Sequence, residues 1–198
     1  IACPTTGLDH IDLECANTKS VQVISLRGET EFLSTVTATA ELAWCLMLAL
    51  IRKAPLAFDS VKSGAWDRDK FKGVELRGKT LGILGCGRLG KMMVGYGKAF
   101  FMNVIAYDGD STEVTSAGAV PVSMERLLQE SDFISLHVPL NNETTNLIGE
   151  REFSLMKDSA YIINTSRGEI INEKALLDAL KTNKIAGAAL DVMVGEEA

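Results

Sequence analysis

The sequence has little of what marks secreted, metal-binding or nucleic-acid-binding proteins. Its 198 residues include four cysteines and two histidines, with no Cys-x-x-Cys pair and no metal-like clustering of these residue types. With no signal-peptide pattern either, we expect no metal site and a reducing, cytoplasmic environment. The net charge of −6, without any Lys/Arg cluster, argues against nucleic acid or an anionic membrane as a partner.

Long hydrophobic runs are also missing. The longest, from Leu42 to Ile51, lies between Glu41 and Arg52 and is too short to cross a bilayer. We therefore expect no membrane span and interpret the run as a buried or dimer-facing helix. A chain of 198 residues has room for one domain with a good core, or for one domain plus a remnant of another.

The most informative segment is a glycine motif that follows an apolar strand. Gly85, Gly87 and Gly90 form a G-x-G-x-x-G turn, a helix follows, and a second apolar strand ends at Asp108. The first glycine permits the tight turn, the second lets the backbone approach a pyrophosphate, and the third lets the helix pack close to the strand. The free N–H groups of the helix N-terminus favour phosphates.

Asp108 completes this pattern because a carboxylate there binds the hydroxyls of the adenosine ribose. The same carboxylate would repel a 2′-phosphate, so the pattern favours NAD over NADP. A glycine-rich turn without function is the alternative, but strand, turn, helix, strand and acid occur here in the expected order. The segment therefore predicts an NAD site.

Strand and helix patterns alternate from residue 80 onward. Apolar runs predict strands at 80–84, 103–107, 132–137, 160–164 and 185–190, with a short extra strand near Val120. Helices are predicted over 88–101, 123–129, 149–157 and 173–181. The strands are almost continuously apolar, as expected when helices cover both faces of a parallel sheet. The pattern predicts an α/β fold with a doubly wound Rossmann sheet. Upstream, we expect a strand at 21–26 and helices at 35–52 and 55–62.

Several polar residues follow predicted strands, where ligands bind in open parallel sheets. A guanidinium at Arg167 suits a bidentate clamp for a carboxylate, although a surface arginine in a turn is equally compatible with its position. His137 suits either a catalyst or a strand-end residue on the adenine side of the cleft. Asp191 could contact the nicotinamide amide, whereas Glu196 and Glu197 are better interpreted, on spacing alone, as a solvated acidic loop.

Taken together, these segments resemble the D-isomer-specific 2-hydroxyacid dehydrogenases, and the resemblance covers essentially the whole chain. The matching segments keep the order and spacing of the family: Thr6–Asp12, Gly64-Ala65-Trp66, Leu136–Leu140, Glu143-Thr144, Asn164–Gly168 and Ala189–Val192. The resemblance implies an NAD-dependent oxidoreductase that interconverts D-2-hydroxy and 2-keto acids, with 3-phosphoglycerate as the default substrate. It also implies a homodimer formed through the long helix.

The resemblance also implies roles for individual residues. Arg88 and Leu89 would contact the pyrophosphate, and Thr165 and Ser166 would line the nicotinamide end. The cofactor cleft would also include Asp108, His137, Val138, Pro139, Thr144 and Asp191, the last of which would hold the carboxamide. Arg167 would bind the substrate carboxylate and polarise the 2-keto oxygen. Glu196 would hydrogen-bond the catalytic histidine and raise the pKa of that histidine. This role replaces the interpretation of Glu196 as part of a solvated acidic loop.

The chain also departs from the family pattern. The catalytic histidine of the family lies beyond the segment of Glu196, and the sequence ends at Ala198 without reaching it. We therefore expect residues 1–34 to be a remnant of a flavodoxin-like substrate domain and residues 35–198 to form the NAD-binding domain. The truncated chain is expected to bind NAD but to be essentially inactive. An alternative is an NAD-responsive corepressor-type binding protein with the same fold.

Two further departures are Leu42, where the family often has histidine, and Phe101, where glycine is common. The residues Met193–Gly195 and Ala198 differ from the usual pattern around the family glutamate. These differences leave the expected fold unchanged, although the last of them bears on the register of Glu196.

Overall fold

The computed structural model describes residues 1–8 and 10–196. Asp9, Glu197 and Ala198 lie outside the described residues, so the sequence predictions that involve them remain predictions. The chain divides into two compact units, Ile1–Thr37 and Ala38–Ala198.

The first unit contains two short parallel strands and two short helices. Its elements are β1 (Ala2–Cys3), α1 (Leu13–Thr18), β2 (Ile24–Ser25) and α2 (Thr30–Ser34). The Asp12 side chain begins α1 by accepting the Cys15 N–H at 2.8 Å. The strand predicted over residues 21–26 is thus present, but only its centre pairs with a neighbour.

The second unit begins with α3 (Ala38–Ile51), followed by α4 (Ala54–Lys62). The single helix predicted from Thr35 to Arg52 is wrong at its start, because Thr35 is the C-terminal cap of α2. The α3 residues Ala40, Ala43 and Met47 are completely buried. The prediction of a buried apolar helix is therefore confirmed for one side of α3.

Thr30–Ile51 is, within the described part of the chain, the one helical stretch long and apolar enough to cross a membrane by length and composition. The core helix of a globular protein satisfies the same criteria. Within this stretch, Ala40, Ala43 and Met47 are completely buried.

Six parallel strands form the central sheet, in the order β5-β4-β3-β6-β7-β8. Their bounds are Thr80–Leu84 for β3, Asn103–Tyr107 for β4, Val120–Pro121 for β5, Phe133–Leu136 for β6, Tyr161–Asn164 for β7 and Gly187–Leu190 for β8. The order reverses between β3 and β6, which is the switch point of a doubly wound Rossmann sheet. The predicted fold class and the six predicted strands are confirmed.

Helices connect these strands and cover both faces of the sheet. They are α5 (Arg88–Ala99), α6 (Ser111–Ala117), α7 (Met124–Glu130), α8 (Glu150–Leu155) and α9 (Glu173–Lys181), with a short 3₁₀ turn at Gly168–Ile170. One buried cluster joins α3 and α5 to the sheet, and a second joins α7, α8 and α9 to it. The continuous apolar character of the strands follows from burial on both sides.

The helices α1, α6, α7 and α9 each begin at a residue whose side chain caps the helix. Ser123 caps α7 through the Arg126 N–H, and Asn172 caps α9 through the Ala175 N–H. The helices predicted over 88–101 and 149–157 are shorter in the structure, at Arg88–Ala99 and Glu150–Leu155.

The amino ends of the strands are joined by charged side chains. Asp132 accepts the Thr80 N–H at 2.8 Å and pairs with Lys157 at 3.0 Å, while Lys184 pairs with Asp158 at 2.7 Å. Burial alone would raise the pKa of Asp132, but the hydrogen bonds from Thr80 and Lys157 outweigh it and lower that pKa. This edge of the sheet thus depends on ionised Asp132.

Candidate functional site

The candidate site lies at the carboxyl ends of the strands, where the segments singled out in the sequence begin. Each of β3, β4, β6, β7 and β8 ends directly before one of them. Neighbouring parallel strands end at the same edge, so the glycine loop, Asp108 and the polar segments after β6, β7 and β8 are brought together.

The surroundings of the three glycines in the loop differ. Gly85 has a φ of +92°, and a Cβ there would lie 2.7 Å from the backbone of His137 and 2.9 Å from the Val138 side chain. A Cβ on Gly90 would overlap the Gly85 carbonyl, so the helix packs directly on the strand. Gly87, in contrast, faces open space. That space is where the sequence places a pyrophosphate.

Asp108 is fixed against the glycine loop by two backbone N–H groups. Its Oδ2 accepts the Cys86 N–H at 2.6 Å and its Oδ1 accepts the Asp110 N–H at 3.0 Å. A carboxylate has about four acceptor positions, so capacity for ribose hydroxyls remains. Burial, followed by the charge of Asp108, raises the pKa of the Cys86 thiol. An ion pair between Lys91 of α5 and Glu113 of α6 joins the two helices that follow the glycine loop and Asp108.

His137 follows β6 and carries a neutral ring. Its Nε2 lies 2.8 Å from Ser135 Oγ, and its buried Nδ1 has no hydrogen-bond partner among the described residues. Burial lowers the pKa of His137 to about 4, because the charged ring would be desolvated. A ring that stays neutral at physiological pH is suited to packing at the cleft rather than to carrying protons there.

Thr144 has contacts within its own loop. Its hydroxyl donates to the Pro139 carbonyl at 2.6 Å and accepts the Asn141 N–H at 2.8 Å. These bonds close the turn that follows β6 and hold Pro139 in place. The predicted cofactor contact of Thr144 stays a prediction, and the structure adds a local role for this hydroxyl.

The residues after β7 form a tight polar turn. Asn164 accepts the Ser166 N–H at 3.0 Å and donates to the Arg167 carbonyl at 2.8 Å, while Ser166 Oγ donates to the Leu136 carbonyl at 2.7 Å. The buried Oγ of Thr165 has no partner among the described residues. This turn also holds the Arg167 side chain, whose Nη1 donates to the Ser166 carbonyl at 2.7 Å.

The segment after β8 packs against that turn. Asp191 continues the sheet by donating its N–H to the Asn164 carbonyl at 2.9 Å. A Cβ on Gly168 would overlap the peptide between Met193 and Val194, so the two loops touch through their backbones. The structure thus places the segment of Asp191 and Glu196 beside the Arg167 turn, as the order of the motifs predicts.

Glu196 is exposed, and its carboxylate accepts the Met193 N–H at 2.9 Å. The next amide, Val194 N–H, donates to Glu173 Oε1 at 2.8 Å. Sequence reasoning missed Glu173, which it identified only as the start of a helix, and it missed Ser135. Neither contact has a sequence signal, because both depend on how separate loops meet.

The groups at the carboxyl edge of the sheet have the chemistry that a dinucleotide requires. The open face of Gly87 at the start of α5 would receive the pyrophosphate, and Asp108 would receive the adenosine ribose. The orphaned Thr165 hydroxyl lies at the other side of the switch point, after β7. No cluster of three or more His, Cys, Asp or Glu side chains that could hold a metal ion occurs within residues 1–8 and 10–196.

Comparison with known proteins identifies the family. The family described as "D-isomer specific 2-hydroxyacid dehydrogenase, NAD binding domain" matches residues 44–198, and the chain belongs to it. The prediction of NAD as the cofactor is confirmed at the level of this family.

Relatives match nearly the whole chain. The chain is 45% identical over 193 residues to a D-3-phosphoglycerate dehydrogenase of Methanocaldococcus jannaschii, covering 96% of the chain and 36% of that protein. It is 43% identical over 205 residues to a glyoxylate reductase of Thermococcus litoralis, covering 99% of the chain and 60% of that protein. The chain therefore spans between about a third and three fifths of the length of these relatives.

Solved structures show the same architecture. A D-lactate dehydrogenase from Aquifex aeolicus, crystallised with NAD and lactic acid, superposes with a TM-score of 0.88 at 37% identity. The match covers 100% of this chain and 58% of that one.

Proposed function

We propose that this chain is the cofactor-binding part of an NAD-dependent dehydrogenase that interconverts D-2-hydroxy acids and 2-keto acids. One observation carries the proposal: the open face of Gly87, the fixed Asp108 carboxylate and the Arg167 turn share one edge of the sheet. The first two suit a dinucleotide, and the third carries the Arg167 guanidinium, a bidentate partner for a carboxylate whose Nη1 donates to the Ser166 carbonyl in this structure. Membership in the family and the names of the relatives support the same reaction.

The residues of this chain bind and orient, whereas the cofactor supplies the hydride when it is bound. Arg88 and Leu89, which begin α5, would lie against the pyrophosphate. Thr165 and Ser166 would line the nicotinamide end, and Asp191 would hold the carboxamide. His137, Val138, Pro139 and Thr144 would form the wall after β6.

Arg167 and Glu196 are the residues we assign to the reaction itself. The Arg167 guanidinium would bind the substrate carboxylate in a bidentate manner and polarise the 2-keto oxygen. Glu196 would stabilise the charged form of a histidine that exchanges a proton with the substrate oxygen. For that role its carboxylate must leave the Met193 N–H that it now accepts.

The 198 residues themselves contain no histidine after Glu196. We therefore expect the chain to bind NAD while turning over slowly, because loss of a general acid–base group typically lowers rates by about 10²–10⁴-fold. The default substrate is 3-phosphoglycerate, supported by the name of a relative that is 45% identical. Four free cysteines further support a reducing, cytoplasmic location.

We also propose a homodimer formed through the long helix, α3 in this structure, with the adjacent α4 contributing to the same interface. On α4, Leu56, Phe58 and Val61 are 62%, 67% and 52% exposed, and the following Trp66 is 86% exposed. A cavity of about 600 Å³ opens beside α3 and is lined by Trp44, Leu48, Tyr96 and Phe100. Apolar surface of this extent is typical of interaction sites, and self-association by two-fold symmetry is the commonest solution.

Sedimentation tests the dimer. Leu56→Asp should shift the chain to monomers, because it places a charge among the exposed apolar side chains of α4. Leu177→Asp is the matched control, since Leu177 is 50% exposed on α9, which packs on the sheet through a different core cluster from α3. A wild-type chain that sediments as a monomer would contradict the homodimer.

A fluorescence titration with NADH, run beside NADPH, tests the cofactor site. We expect saturable NADH binding and much weaker NADPH binding. Absence of NADH binding would overturn the proposed function, and equal binding of the two cofactors would contradict the role of Asp108. Turnover near about 10 s⁻¹, which is typical of enzymes, would contradict the slow reaction expected of this chain.

A further inference from the structure

The segment 191–196 is held on the rest of the sheet by a small set of backbone contacts. Asp191 N–H donates to the Asn164 carbonyl at 2.9 Å, and the Met193–Val194 peptide lies directly on Gly168. A side chain of α9 also binds this peptide: Glu173 accepts the Val194 N–H at 2.8 Å. A carboxylate that accepts a backbone N–H makes a charge-assisted hydrogen bond, stronger than one between neutral groups.

We propose that Glu173 is a positioning residue, which holds the Met193–Val194 peptide on Gly168 and thereby sets the places of Asp191 and Glu196. This inference rests on the proposed function, because it gives those two residues their roles. Glu173 is the first residue of α9, a helix whose start is already fixed by the Asn172 cap. Its anchor point is therefore rigid, whereas the peptide that it holds belongs to a loop.

The contacts of Glu196 explain why a second anchor is needed. Glu196 itself accepts the Met193 N–H at 2.9 Å, so two carboxylates bind consecutive amides of this loop. When Glu196 turns toward a histidine, its own bond to the loop is lost. Glu173 remains, and it keeps the peptide on Gly168 during that change.

Three variants separate positioning from general stability. Glu173→Ala removes the acceptor, and Glu173→Gln keeps an acceptor oxygen without the charge. Glu125→Ala is the matched control, because Glu125 is also an acidic residue in the first turn of a helix, and its side chain makes no hydrogen bond or ion pair with another residue of 1–8 and 10–196. Both alanine variants lose the same favourable interaction with a helix N-terminus.

The readouts are the exchange rate of the Val194 amide hydrogen and the affinities for NADH and for AMP. AMP lacks the nicotinamide that Asp191 would hold. For Glu173→Ala we expect faster Val194 exchange and an NADH affinity about threefold to tenfold lower, as for one lost hydrogen bond, with AMP affinity unchanged. Glu173→Gln should lie close to wild type, and Glu125→Ala should change neither readout.

Two results would overturn the inference while leaving the proposed function intact. One is wild-type NADH affinity and Val194 exchange in Glu173→Ala. The other is an equal loss of NADH and AMP affinity together with a lower melting temperature, which marks a structural role alone. A wild-type chain that binds no NADH overturns the proposed function, and this inference with it.

Discussion

The Asp108 carboxylate accepts the Cys86 backbone N–H at 2.6 Å, which joins the end of β4 to the middle of the glycine loop. The loop and its acid are therefore one unit before any ligand arrives. Such preorganisation lowers the entropy that binding must offset. Because this bond fixes the carboxylate, the charge of Asp108 lies at a fixed distance from a ligand bound in the glycine loop.

The charge of Asp108 should govern the choice between NADH and NADPH. Asp108→Asn keeps an oxygen that accepts the Cys86 N–H but removes the repulsion of a 2′-phosphate. We expect the ratio of NADPH to NADH affinity to rise about tenfold, equivalent to about 1.4 kcal/mol. Fluorescence titrations measure both affinities. Asp110→Asn removes a neighbouring charge that caps α6, and it should change the ratio far less.

Gly87 should matter for binding and not for folding. A Cβ at Gly87 meets no atom within 4 Å, so Gly87→Ala should keep the melting temperature while its methyl group occupies the space of the pyrophosphate. We expect NADH affinity to fall about tenfold or more, equivalent to about 1.4 kcal/mol.

Gly95→Ala is the control for Gly87→Ala, because Gly95 lies within α5, the helix that Gly87 caps, and also faces open space. It should bind NADH normally and raise the unfolding free energy by about 0.5–1 kcal/mol. Normal NADH affinity in Gly87→Ala would show that the cofactor does not approach this part of the loop.

His137 should make stability depend on pH in the acidic range. Burial lowers its pKa to about 4, against an ordinary value of 6.5. Between these two pH values the ring is protonated in the unfolded chain but not in the folded chain. The unfolding free energy should therefore fall as pH decreases from 6.5 toward 4, by up to about 1.4 kcal/mol per pH unit from this residue.

Chemical denaturation at several pH values measures this effect. In His137→Gln the slope between pH 6.5 and 4 should become shallower. His10→Gln is the control, because His10 is exposed and lies in the first unit. An unchanged slope in His137→Gln would mean that the pKa of the ring is the same in the folded and the unfolded chain.

Asp132 should stabilise the amino edge of the sheet only while it is ionised. We expect Asp132→Asn to lower the unfolding free energy at pH 7 by about 1–3 kcal/mol, because the bond to Lys157 loses its charge. The pKa of Asp132 is lowered in the folded state, so its stabilisation is present above about pH 4 and is lost as pH falls further.

Denaturation of Asp132→Asn and wild type at pH 7 and pH 3 checks this expectation, since the difference should shrink at pH 3. Asp158→Asn, which breaks the more exposed pair with Lys184, should cost about 0–1 kcal/mol at pH 7. A difference that persists unchanged at pH 3 would mean that the charge of Asp132 is irrelevant.

Much of the fold could be predicted because its strands are buried on both faces. Continuous apolar runs such as Thr80–Leu84 and Asn103–Tyr107 leave few alternatives to a parallel sheet. The helix Ser111–Ala117 was missed because it has no apolar periodicity and only Val114 is buried. The start of α3 was placed at Thr35 since the apolar run does not reveal that α2 ends there.

The candidate site was predictable where it depends on local backbone needs. The φ of +92° at Gly85 and the close packing of Gly90 are properties of a turn that sequence spacing encodes. Contacts between separate segments could not be predicted from the sequence. The bonds of Ser135 to His137 and of Glu173 to Val194 arise only when the strands have been assembled in their final order.

The pairs of Asp132 with Lys157 and of Lys184 with Asp158 lie at the opposite edge of the sheet from the ligand residues. Selection can therefore act on the two edges separately. Substitutions that change ligand choice at the carboxyl edge leave the ion pairs of the amino edge intact. The ligand specificity of the domain can therefore change while its fold stays stable. An engineer could stabilise the amino edge first and then alter the carboxyl edge freely.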